Sequence, residues 1–88
     1  MNVAVLLMGE NFPVAGRPKL QGFFITKRVE ASSEEVAAAQ AVAAVKADPQ
    51  FSQSSFVEPT VTVNVVHQLP ESNLMKDTEY LFFPMEEA

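Results

Sequence analysis

The sequence predicts an α+β fold of order β-β-α-β-β, a mostly antiparallel sheet of three or four strands with one long helix, residues 33–47, packed on one face. Three observations predict it. Residues 60–67 alternate between apolar and polar side chains with the period of a strand. Residues 36–47 read VAAAQAVAAVKA, an alanine-rich run that favours helix. Three other strand-like segments, 2–8, 20–31 and 80–83, are separated from these by stretches rich in Gly, Pro and Ser. With 88 residues the chain is one domain, since two halves could not each bury a core.

Residues 2–8 are apolar at both parities, Val3/Val5/Leu7 and Ala4/Leu6/Met8, which predicts a central strand covered on both faces. No Lys or Arg precedes this run and no small-residue cleavage site follows it, so it reads as a buried strand in a cytoplasmic protein rather than a leader. It is also far shorter than the roughly 20 apolar residues that span a bilayer. Residues 9–19 carry Gly9, Pro13, Gly16 and Pro18 and are expected to form a loop.

Over residues 20–31 the period of two returns, with Phe23, Ile25, Val29 and Ala31 on one face and Phe24, Thr26, Arg28 and Glu30 on the other. Lys27 falls on the apolar side, which requires either a bulge or an edge position where its stem reaches water. Ser32 and Glu35 stand at the spacing of a capping box, with Glu34 favourable at the positive end of the helix. Asp48-Pro49 stops the helix, because proline disfavours helical geometry at the residue before it. Its Ala and Val positions run nearly all round, so one side packs on the sheet and the other faces either water or a second helix.

Residues 50–59 are polar and Ser-rich, with Phe51 and Phe56 as anchors that pin the loop to the domain. In the strand at 60–67, Val61, Val63 and Val65 point inward and Thr60, Thr62 and Asn64 outward. A turn-rich stretch over 69–78 leads to the short strand at 80–83, which Pro84 ends before a tail containing Glu86 and Glu87.

Nothing else in the chain is available to cover the second face of the sheet. Its expected lining is Phe24, Thr26, Arg28, Thr62 and Asn64, with Val66 at the margin, and these form the candidate binding surface. Such a face is solvated, pairs with a second copy or binds another protein.

The search for chemistry yields no catalytic residue, metal ligand or cofactor site. There is no cysteine, which excludes thiolate metal sites, disulfides and a Cys nucleophile. His67 is the only histidine and lacks the second ligand of a helical zinc motif. Gly9, Gly16 and Gly22 are too widely spaced to cradle a phosphate. Glu10, Glu58, Asp77 and Glu79 sit at element boundaries, where solvated acids are ordinary. The formal charge of −5 disfavours polyanions, and Lys27 and Arg28, adjacent in a strand, point to opposite faces.

The stretch QGFFITKRVEASSEEVAAAQAVAAV looks like the second half of an RNA-recognition motif, in which an aromatic strand precedes a helix. It departs from that motif at Gln21, and at Ile25 where the second stacking aromatic belongs, so no nucleic acid is expected as a partner. The segment GFFITKRVEASSEEVAAAQAVAAVKADP, residues 22–49, resembles a family of small uncharacterised bacterial proteins with no assigned activity. The sheet-plus-helix arrangement with its S-x-E-E-like start is also distantly similar to small antitoxin domains, which act by binding a protein partner.

The expected function is therefore that of a non-enzymatic interaction module, homodimeric, using the uncovered face or an edge strand. The alternative is a small-ligand binder or minor enzyme with a pocket at a dimer interface built from His67, Arg28 or Glu58.

Overall fold

The computed structural model describes residues 1–51 and 57–85. Four strands and one helix follow in the expected β-β-α-β-β order: β1 Asn2–Phe12, β2 Gln21–Glu30, α1 Glu34–Lys46, β3 Thr60–Leu69 and β4 Leu81–Pro84. The strands form a single antiparallel sheet in the order β3-β1-β2-β4. Both β2 and β3 run antiparallel to β1, so they are parallel to each other, and α1 is the crossover that such a pair requires. Among the described residues no helix is long and apolar enough to cross a membrane.

One face of the sheet carries the core. Val3, Val5 and Leu7 of β1 and Phe23 and Ile25 of β2 are buried against Ala37, Ala41 and Val45, which recur every four residues along one side of α1. Alanine at two of these positions lets the helix approach the strands closely. The other side of the helix, including Val36 and Gln40, is exposed. At the β4 end an aromatic cluster completes the core: the Phe23 ring lies 5.0 Å from Phe12, 5.4 Å from Phe51 and 5.0 Å from Tyr80. Phe51 thus anchors its loop as expected, whereas Phe56, Glu86 and Glu87 lie outside the described residues.

Several local expectations are corrected. Strand β1 does not stop at Met8 but runs to Phe12, because Glu10 and Asn11 bulge between the Gly9–Phe23 and Phe12–Gln21 pairs. Asn11 takes up the extra residue in the left-handed region at φ 62°, a conformation that asparagine tolerates. The helix is capped by Ser33, not Ser32; its hydroxyl accepts from the Val36 backbone N–H at 3.2 Å. Three residues beyond Ser33 stands a valine, so the reciprocal half of a capping box is missing.

Strand β3 contains a second bulge. Leu6 pairs with Val65 and Leu7 with Val63, leaving Asn64 as the extra residue. The bulge reverses the inward and outward assignment beyond it: Val65, opposite Leu6, lies on the open face, and Val66, opposite Val5, lies on the helix face. Lys27 needs no bulge, since the β1–β2 register is continuous past it, and it occupies the edge position because β4 pairs only with residues 21–24.

Candidate functional site

The open face of the sheet is built in rows across the strands. Leu81, Phe24, Met8 and Thr62 form one row, Thr26, Leu6 and Val65 the next, and Arg28, Ala4 and His67 a third. Four of the five candidate binding residues therefore share this surface: Phe24 and Thr62 flank Met8, Thr26 borders Leu6, and Arg28 borders Ala4. Asn64 is the bulged residue beside Val65.

Sequence reasoning treated this face as mixed in polarity, but its centre is apolar. Phe24 is 38% exposed, Val65 51% and Leu81 69%, and Ala4, Leu6 and Met8 between them are half-buried. Phe83 adds an aromatic ring 5.6 Å from that of Phe24 and folds over Gly22, where a Cβ would collide with it. The missed residues had left a signal, the apolar even parity of β1, which predicted cover on both faces. The chain covers only the odd parity with its helix.

One end of the open face does receive cover, which had not been expected. Residues 70–77 cross it on their way from β3 to the far edge of the sheet. The buried Asn2 amide donates to the carbonyl oxygens of Pro70 at 3.0 Å and Asn73 at 2.7 Å. Arg28 Nε donates to the Met75 carbonyl at 2.7 Å, and its terminal nitrogen reaches Asn2 Oδ1 at 3.3 Å and Glu30 Oε1 at 3.4 Å. The Arg28 backbone N–H donates to Asp77 Oδ1 at 2.8 Å. Arg28 therefore sits on the predicted face, with its guanidinium holding the crossing segment.

On the opposite face, the same segment is tied to the end of the helix by a polar cluster. The Tyr80 hydroxyl donates to Asp48 Oδ2 at 3.0 Å, and Lys27 Nζ lies 3.5 Å from Asp77 Oδ2 and 5.9 Å from the centre of the Tyr80 ring. Burial works against the Asp48 carboxylate. The Gln50 backbone N–H, the Tyr80 hydroxyl, the Gln50 side chain and the nearby Lys27 outweigh it and hold the carboxyl below its ordinary value. Burial, followed by the bond to Asp48 and the charges of Asp48 and Asp77, keeps the Tyr80 hydroxyl protonated far above its usual range. A tyrosine so held is a structural donor, and the cluster fastens β2, α1 and the crossing segment together.

Within one chain the alternative pocket residues divide between the two ends of β3. His67 and Arg28 lie on either side of Ala4, and Glu58 precedes β3 as an exposed residue at the other end of that strand. Among the described residues no group of three His, Asp or Glu side chains could hold a metal ion. The open face does contain a shallow depression of about 330 Å³, lined by Leu6, Phe24, Thr26, Thr78, Glu79 and Leu81.

Compared with family models, curated proteins and solved structures, the chain has no match.

Proposed function

We propose that the protein is a non-enzymatic interaction module that works as a homodimer and presents the open face of its sheet to another protein. The observation that carries this reading is the uncovered apolar centre formed by Leu6, Met8, Phe24, Val65 and Leu81. A central strand with apolar residues at both parities is ordinarily buried on both sides, and exposed contiguous apolar surface marks sites of association. The small size of the chain favours self-association as well, because a domain of this length buries a modest share of its surface alone. A cytoplasmic setting belongs to the same proposal. A net charge of −5 and the engagement of Arg28 within the fold favour a protein partner over nucleic acid.

A second reading, a small-ligand binder, draws on the depression beside Phe24 and Leu81. Native mass spectrometry of freshly purified protein over a range of concentrations separates the two. A ligand-free dimer supports the interaction module, stoichiometric extra mass supports the ligand reading, and a monomer at all concentrations removes the homodimer. The face itself is tested with a Phe24→Glu/Leu81→Glu double variant. It is expected to melt like the parent and to lose the binding of an apolar fluorescent dye; unchanged dye binding would show that the face is not the exposed apolar surface.

A further inference from the structure

The two edges of the sheet differ in a way that bears on how the module self-associates. At one edge, β4 is four residues long and ends in Pro84, and the neighbouring part of β2 is occupied by the Thr78 and Asp77 contacts to Thr26 and Arg28. Both are recognised ways of blunting an edge. At the other edge, β3 is ten residues long, TVTVNVVHQL, and pairs on one side only among the described residues. It contains no proline, no carboxylate and no Lys or Arg, although 17 of the 88 residues of the chain are Asp, Glu, Lys or Arg. Its single defence is the bulge at Asn64.

That bulge gives β3 a pattern of faces that is the same in both directions. Val61, Val63, Val66 and Gln68 lie on the helix face, opposite Gly9, Leu7, Val5 and Val3; Thr60, Thr62, Val65, His67 and Leu69 lie on the open face. Reflected about the peptide between Asn64 and Val65, each helix-face position meets a helix-face position and each open-face position an open-face one. An unbulged strand could not pair in this register, because a centre between two residues would set opposite faces against each other.

Resting on the homodimer reading above, we infer that the β3 strands of two copies pair antiparallel about a two-fold axis at the Asn64–Val65 peptide, joining the sheets into one of eight strands. Val63 then faces Val66 of the second copy, a β-branched pair of the kind that stabilises sheets, and Thr62 faces His67 of the second copy. The contact is isologous and closes at two copies. No like charges meet across it, despite the acidity of the chain. The two open faces become one continuous surface, twice the width available to a partner.

The absence of native cysteine makes the register testable. Thr62→Cys and His67→Cys lie five residues apart on one strand, too far to bond within a chain. Mixed under mild oxidation, the two single variants of the full-length protein are expected to give a covalent heterodimer, while each alone gives none. Cross-linking of either variant with itself, or a dimeric protein whose mixed variants do not cross-link, overturns the β3 pairing and leaves the homodimer standing. A monomeric parent at every concentration removes both. As a second readout, the backbone amides of residues 60–69 are expected to exchange more slowly as protein concentration rises; rates independent of concentration in a dimerising protein would also overturn the pairing.

Discussion

The hydroxyl of Tyr80 donates to the carboxylate of Asp48 across 32 residues of sequence, at 3.0 Å, joining the residue just beyond the helix C-cap to the segment that leads into β4. Tyr80→Phe keeps the ring in the aromatic cluster and removes this bond alone, so it is expected to cost about 1 kcal/mol in denaturant unfolding.

The same pair fixes two limits of pH stability. Asp48 is held below its ordinary value of 3.8, so its contribution is complete above that value and is lost as pH falls through the lower, folded one. Tyr80 is raised above 10.0, so its contribution is complete below pH 10.0 and is lost as pH rises toward the folded value. Because the chain has one tyrosine and no tryptophan, tyrosinate absorbance reports this group alone. Its midpoint in the native protein is expected well above that in denaturant.

Gly9→Ala places a Cβ in the space occupied by the Phe23 ring. Both residues are buried at the centre of the core, and overpacking of this kind is expected to cost about 1–3 kcal/mol. Phe23→Leu should cost stability by itself. Combined with Gly9→Ala it is expected to cost less than the sum, a coupling that a double-mutant cycle in denaturant measures directly.

Arg28→Lys keeps the charge but loses the Nε–H that reaches the Met75 carbonyl. The segment crossing the end of the sheet is expected to loosen. Amide exchange over residues 70–77 should quicken, while the amides of β1 and β2 keep their protection.

Ser33→Ala removes the acceptor for the Val36 N–H and is expected to destabilise by about 1 kcal/mol; Ser32→Ala should be nearly neutral in the same thermal unfolding measurement.

The contrast between Ser32 and Ser33 illustrates what the sequence made legible. The helix, the four strands and their antiparallel pairing followed from periodicity and from the Gly, Pro and Ser breaks, since these are local signals. Which of two adjacent serines caps the helix depends on the backbone turn arriving from β2. The Asn64 bulge was hidden for a similar reason: in VTVNVVHQ the alternation continues through Val65, and only pairing with Leu6 and Leu7 reveals the extra residue. The partners of Asn2 and Arg28, near residues 70–77, are set by a crossing over the sheet that no local pattern encodes. Of the open face, Phe24, Thr26, Arg28 and Thr62 were legible from parity. Its apolar centre was missed because the even positions of β1 were assigned a cover that the chain does not supply.

The placement of β1 also has a consequence for synthesis. Asn2 is opposite Glu30 on one side and Leu69 on the other, so β1 receives its second neighbour only after β2 and α1 have also been made. Until then the β1–β2 hairpin holds its most apolar strand with one backbone edge open, the condition in which nascent chains pair with the wrong neighbour. A message cut short between α1 and β3 would yield a product fixed in that state, with β1 paired to β2 alone.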